Sequence, residues 1–230
     1  MTGVQALIFD VFGTVVDWRN GVAAEVAKTP LPVDAHAFAD AWRDRYQPKM
    51  TEVRTGGRAY QPLDILHREN LDYVLADRGL EMAEDARADL NRAWEKLPPW
   101  PDSVAGLTRL KAKYMIAPCS NGSIAMMTRI AKFGGLPWDC ILGADIARDY
   151  KPKHGVYLAC ADALALPPSQ VMMVAAHNGD LEAARAAGLK TAFFPRPTEH
   201  GPGQTTDLAA TADWDVIATD LEDLAGKMGC

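Results

Sequence analysis

The stretch that most constrains this chain is residues 5–18, QALIFDVFGTVVDW. Ala6-Leu7-Ile8-Phe9 is a short apolar run with a β-branched member, the pattern of a strand buried on both faces. Asp10 follows at once. Desolvating a carboxylate at the end of such a strand costs several kcal/mol unless it is paired, so an acid here points to chemistry more than to stability. Gly13 permits a sharp turn and Thr14 adds a hydroxyl. A plain turn opening on Asp fits the same residues, and the stretch alone does not separate the two readings.

After Trp18 the texture changes. Residues 19–97 carry long helical patterns and little strand signal. A short helix is expected over residues 21–28, stopped by Thr29-Pro30-Leu31-Pro32. Asp34 is a fair N-cap for the next helix, which runs through Phe38, Trp42 and Tyr46 and is kinked or interrupted at Pro48. A third starts at Pro62, with Leu63, Leu66, Leu71, Val74 and Leu75 on one side, and stops at Gly79. That apolar face suits either a homodimer contact or the chain's own core. A fourth is expected over about 82–97, rich in Ala, Glu and Arg.

Leu97-Pro98-Pro99-Trp100-Pro101 reads as a stiff linker, and beyond it strands alternate with helices. Strands are expected at 114–117, 140–142, 171–175, 191–194 and 214–218, with helices at 103–113, before 134, at 152–164, at 181–187 and at the end. Residues 195–212 read as a long loop of Pro, Gly and Thr. This alternation implies an α/β fold: a Rossmann-like, mostly parallel sheet with helices on both faces. The expected core is residues 1–17 and 98–230, and residues 18–97 form an inserted helical cap domain. Ligands bind beyond the carboxyl ends of parallel strands. That rule sends Asp10, Ser120, Lys151 and Asp180 to one crevice.

The chain has 230 residues and is 48% hydrophobic, enough for a sizeable core. A net charge of −6 offers no nucleic-acid or anionic-membrane surface, although a few local cations can still dominate one cleft. The cysteines, Cys119, Cys140, Cys160 and Cys230, lack metal-ligand or disulfide-scaffold spacing, as in a reducing compartment. With no signal-like segment and no membrane-length apolar run, a cytoplasmic protein is expected.

The segments IFDVFGTVVD, CSNGS, DYKPKHGVY and VMMVAAHNGDLEAARAAG together resemble the haloacid dehalogenase superfamily. Phe12, two residues after Asp10, resembles its type II L-2-haloacid dehalogenases. Phosphatases of the superfamily carry a second Asp there, which protonates a leaving alkoxide. Phe12 cannot donate a proton, and a halide leaves without one. The resemblance therefore implies hydrolysis of short (S)-2-haloacids to (R)-2-hydroxyacids, with a small anionic substrate, water and a halide product as partners. No metal or other cofactor is expected: His177-Asn178-Gly179-Asp180 offers one acid where magnesium favours two. A magnesium-dependent phosphatase and a noncatalytic carboxylate-binding protein of the same fold are the alternatives.

Residue roles follow from the same resemblance. Asp10 matches the nucleophile that forms an ester with substrate. Lys151 matches the lysine that keeps it ionised, and the neighbouring Lys153 is left to solvent. Asp180 matches the acid that positions the hydrolytic water, and is also a sound helix N-cap. Arg43, in Trp42-Arg43, matches an arginine that binds carboxylate and halide. Ser120, Asn121 and the backbone N–H groups of Val11 and Phe12 match substrate-binding groups, and Tyr157 a tyrosine lining the pocket. Thr14, His177 and Asn178 are expected to support them. The departures are Ala175, where many members carry a hydroxyl, His177 in place of an amide, and Gly179 in place of a large aromatic. They put halogen preference in question and open the way to fluoroacetate.

Overall fold

The structure is a computed structural model and describes residues 3–230. Strand β1 (Ala6–Phe9) is followed by α1 (Trp18–Val26), α2 (Ala35–Asp44), α3 (Tyr46–Arg54), α4 (Leu63–Asp77) and α5 (Glu84–Asn91). Then come α6 (Ser103–Lys111), β2 (Met115–Ser120), α7 (Ile124–Gly134), β3 (Leu142–Gly143), the single turn α8 (Ala144–Ala147) and α9 (His154–Ala163). The chain closes with β4 (Val171–Ala175), α10 (Asn178–Ala186), β5 (Lys190–Phe193), β6 (Val216–Ile217) and α11 (Leu221–Lys227).

The six strands form one sheet in the order β3-β2-β1-β4-β5-β6, and every pair is parallel. β1 is central, with Leu7 between Ile116 and Met172 and Phe9 between Pro118 and Val174. The chain builds outward from β1 through β2 and β3, then returns to add β4, β5 and β6 on the other side. The order thus reverses at β1 and β4, and a crevice opens beyond their carboxyl ends.

Strand alternation divides the core between the faces of the sheet. Leu7, Phe9, Ile116, Met172 and Val174 pack into one buried cluster, which continues through Trp18, Phe38, Trp42, Leu63, Leu66 and Trp94 of the helical region. Ala6, Ile8, Ala117, Cys119, Met173 and Ala175 join the other, under α9 and α10. Leu71, Val74 and Leu75 of α4 are buried in the first cluster, so that helix face serves the chain's own core.

Several elements differ from expectation. α1 starts at Trp18, because the Asp17 side chain accepts from Asn20 N and caps it there. The break between α2 and α3 falls at Arg45, which leaves Pro48 in the first turn of α3, where a missing N–H is no loss. The helix expected over about 82–97 ends at Asn91 and tightens into a 3-10 turn, Arg92–Glu95. Its good helix formers are overruled by Trp94, whose ring stacks on Trp18 at a centroid distance of 6.1 Å. β2 runs through Pro118 to Ser120, because β1 pairs as far as Phe9 and β3 pairs from Cys119 onward. β3 is shifted to Gly143, where a Cβ would lie 2.2 Å from Ser120 O, and φ of 128° is open to glycine. β6 is confined to Val216–Ile217.

Leu7 is fully buried, with strands on both sides. Leu7→Ala is expected to destabilise the protein by about 3 kcal/mol. In urea unfolding the midpoint should fall with the slope unchanged; a loss below about 1 kcal/mol would show that the site collapses around the smaller side chain.

Candidate active site

Asp10 is placed by β1. Its N–H donates to Val174 O at 3.0 Å, which ties the end of β1 to β4. The chain then turns back on itself, with Val15 N and Val16 N both donating to Val11 O. Thr14, inside this turn, donates from Oγ1 to Asp10 Oδ2 at 2.7 Å and accepts from Ala176 N at 3.0 Å. One hydroxyl therefore couples the loop after β1 to the loop after β4. Among the described residues the N–H groups of Val11 and Phe12 have no hydrogen-bond partner.

The other Asp10 oxygen meets Lys151. Lys151 Nζ lies 2.9 Å from Asp10 Oδ1 and 2.5 Å from Asp180 Oδ2, and all three side chains are at most 10% exposed. Lys151 stands just before α9, held through its backbone: its N–H donates to Asn121 Oδ1 at 2.8 Å, and its carbonyl accepts from Arg54 Nη1 at 2.6 Å. Asp180, in the first turn of α10, also accepts from Tyr157 OH at 2.5 Å.

His177 closes the second side of Asp10. Its Nδ1 is 3.2 Å from Asp10 Oδ2, and its Nε2 is 2.7 Å from Glu199 Oε2. Burial pushes the Asp10 pKa up, but the Lys151 charge and the His177 hydrogen bond outweigh it and hold the carboxyl well below the usual carboxylate range. Burial likewise pushes Lys151 and His177 down, and their flanking carboxylates return both to well above their ordinary values. Burial pushes Tyr157 up, and Asp180 adds to that, so its phenol is a donor throughout the physiological range.

Asp10, Lys151, His177 and Asp180 line a cleft of about 560 Å³ together with Phe12, Arg43, Asn121 and Gly179. The helical region supplies one wall. Arg43 of α2 lies over the Tyr46 ring, 3.9 Å from its centroid, and within 5.7 Å of the Phe12 ring centroid. Its Nη1 is buried without a hydrogen-bond partner. Nearby His67 is held neutral, since burial and the Arg43 charge both push its pKa down.

Of the residues singled out from sequence, Asp10, Phe12, Arg43, Asn121, Lys151, His177 and Asp180 meet in this cleft. Tyr157 lies beneath Asp180 and is fully buried, so it supports that carboxylate instead of lining the pocket. Ser120 is also fully buried, and its Oγ accepts from Gly122 N at 3.1 Å within the turn after β2. Asn178 is turned away: its side chain binds Asp207 Oδ1, Ala209 O, Thr211 N and Trp214 Nε1, pinning the loop before β6. Glu199 and Arg54 also belong to the site, although the sequence motifs do not single them out. Glu199 is the sole acid of residues 195–206, which is a signal of a kind; Arg54 carried none.

A family model described as haloacid dehalogenase-like hydrolase matches residues 4–188. The (S)-2-haloacid dehalogenase 1 of Pseudomonas sp. (strain CBS-3) is 30% identical over 199 residues, 85% of this chain and 86% of that protein. The solved structure of a defluorinating L-2-haloacid dehalogenase is 54% identical, with a TM-score of 0.96 over 99% of this chain and 96% of its own. A further L-2-haloacid dehalogenase structure is 47% identical, with a TM-score of 0.95 over 98% of this chain and all of its own.

The depressed Asp10 pKa has a definite sign in stability. The contribution is full above the unfolded value of about 3.9 and is lost as the pH falls through the lower folded value. Lys151→Met removes the cation between Asp10 and Asp180 and should raise the Asp10 pKa. In ¹³C-carboxyl NMR, Asp10 of the parent protein should stay ionised through the ordinary carboxylate range, while the variant titrates at higher pH. An unchanged titration would show that His177 and Thr14 set the ionisation alone.

Proposed function

The chain belongs to the haloacid dehalogenase-like hydrolases, and from that premise we propose that it hydrolyses short (S)-2-haloacids to (R)-2-hydroxyacids through an ester on Asp10. The observation that carries this reading is the Asp10 carboxylate, held ionised in the cleft by Lys151, with Phe12 where a phosphatase needs an acid. Asp10 Oδ1 attacks the halogen-bearing carbon in line, the carbon–halogen bond breaks, and the configuration inverts. The substrate carboxylate takes the free N–H groups of Val11 and Phe12, and Arg43 and Asn121 Nδ2 face the departing halide. Arg54 adds positive charge to the cleft lining. Water directed by Asp180 then attacks Cγ of the ester, which leaves the product carbon untouched.

The residues present do not fit magnesium. Lys151 Nζ bridges the carboxylates that a dication would need, Asp10 and Asp180. Among the described residues there is no group of three or more His, Cys, Asp or Glu placed to hold a metal ion. A hard cation wants several oxygen ligands and would have to displace the ammonium. Phe12, standing where a phosphatase needs an acid, argues against the phosphatase reading as well. Among the described residues no helix is long and apolar enough to cross a membrane.

Fluoroacetate belongs to the proposed range. A Cβ at Gly179 meets nothing within 4 Å, so the pocket wall there is open, and the structural relative at 54% identity is described as defluorinating. Fluoride is displaced only when short hydrogen bonds meet its charge as it develops. Arg43 and Asn121, which line the cleft, are the donors assigned to that in this reading.

Two measurements test the reading. In a single turnover of (S)-2-chloropropionate in ¹⁸O-water with EDTA present, the label should enter Asp10 first and the product should be (R)-lactate. Label found only in lactate, or activity lost to EDTA and restored by magnesium, would overturn it. With a fluoride electrode, the parent enzyme should release fluoride from fluoroacetate, and Gly179→Trp should lose that activity by a larger factor than it loses activity on chloroacetate. Equal losses would mean that Gly179 does not govern the halogen.

A further inference from the structure

Glu199 lies in the loop after β5, and its surroundings are built to hold a buried carboxylate. Its side chain is 2% exposed. Trp18 Nε1 donates to Oε1 at 3.0 Å, His177 Nε2 lies 2.7 Å from Oε2, and His200 Nε2 lies 3.6 Å from Oε1. A Cβ at Gly13 would fall 2.0 Å from Oε1, so the glycine in the Asp10 turn makes the space that Glu199 occupies. Arg196 anchors the same loop: it is paired with Asp102 at 2.8 and 2.9 Å and donates from Nε to Thr14 O at 3.0 Å.

Across the imidazole, Nδ1 faces Asp10 Oδ2 at 3.2 Å. Thr14 Oγ1 donates to that oxygen as well, at 2.7 Å, whereas Oδ1 meets Lys151. The two Asp10 oxygens therefore differ. Oδ1, with Lys151 as its one donor, is the attacking atom of the nucleophile reading and becomes the bridging oxygen of the ester. Oδ2, with two fixed donors, becomes its carbonyl oxygen.

We propose that His177 is a catalytic residue for hydrolysis of this ester: with Thr14 it forms the donor pair that receives the charge developing on Asp10 Oδ2 as water adds to Cγ, and Glu199 is the positioning residue that fixes its ring. The proposal rests on the reading of Asp10 as nucleophile. Water forms a bond to Cγ and the carbonyl electron pair moves to Oδ2. When that pair returns, the Cγ–Oδ1 bond breaks and the hydroxyacid leaves with Oδ1 as its hydroxyl. One water proton reaches that hydroxyl through Asp180 and the Lys151 ammonium. The other is released as Asp10 returns to a carboxylate.

The order of charges suits this role. In the free enzyme Asp10 and Glu199 both favour a protonated His177. Esterification removes the Asp10 charge, and Glu199 then holds the imidazolium in place for the step that needs it. The charged groups facing the pair are Asp10 after β1, Glu199 and His200 in the loop after β5, Arg43 on α2, Lys151 before α9 and Asp180 on α10. Because the His177 pKa is raised, its cation is present at neutral pH and is lost as pH rises through the raised value.

Rapid-quench kinetics with chloroacetate tests the proposal. His177→Ala should release about one equivalent of chloride in a burst, then turn over about 10²- to 10³-fold more slowly than the parent, with the ester visible on the Asp10 peptide by mass spectrometry. Glu199→Gln keeps side-chain volume and should move the alkaline limb of kcat to lower pH, a change that a merely structural role would not make. Burst-free H177A kinetics, with chloride and glycolate slowed equally, or an unmoved limb in E199Q, would overturn it. A parent enzyme that releases no chloride, or never carries the ester on Asp10, would instead defeat the nucleophile reading beneath it.

Discussion

A single ammonium, Lys151 Nζ, sits between Asp10 and Asp180 in a place almost closed to water. Each such charge costs several kcal/mol to bury, and attraction offsets this only where geometry is fixed and the remaining lone pairs are used. Much of the local structure serves that condition. Asn121 and Arg54 hold the Lys151 backbone from the ends of β2 and α3, Tyr157 fixes Asp180, and Thr14 fixes Asp10. The triad is a weak source of stability and a strong source of preorganisation. A carboxylate kept ionised and aimed needs no reorganisation at the moment it attacks.

The two sides of Asp10 are built differently. On the Lys151 side the partners come from the sheet and the helices that follow it. On the His177 side they come from a turn and a loop: the Gly13 turn, the loop after β4, and the segment of Arg196 and Glu199. Loops are usable for such a purpose only when anchored, and the buried Arg196, paired with Asp102, supplies the anchor. The helical wall contributes apolar rings, which exclude water, and the Arg43 guanidinium lying among them. A cation in low dielectric acts on an anionic substrate over a longer range than it would in solvent.

Much of this was legible in the sequence, for physical reasons particular to each element. The run before Asp10 reads as a doubly buried strand, because only such strands are apolar without alternation, and β1 is the centre of the sheet. Asp34 as a cap and the apolar side of α4 are local patterns that tertiary contacts did not override. The end of α5 was not legible. Its residues favour a continued helix, and the stacking of Trp94 on Trp18, remote in sequence, bends the chain instead. The edges of β2 and β3 are no more legible locally, since a strand ends where its neighbours stop pairing.

The sequence by itself determined that Asp10 and Asp180 follow parallel strands, because the alternation of strands and helices decides that without reference to any contact. It also determined that Phe12, and not a second acid, stands two residues after Asp10. Only the tertiary structure decided which groups touch. It turned Asn178 away from the cleft, set Tyr157 beneath Asp180, and brought Glu199 from an unpatterned loop to the back of His177. Those contacts join residues distant along the chain, through loops with no periodicity. Their geometry is set by anchors such as Arg196 and by space such as that left at Gly13, neither of which a linear pattern records.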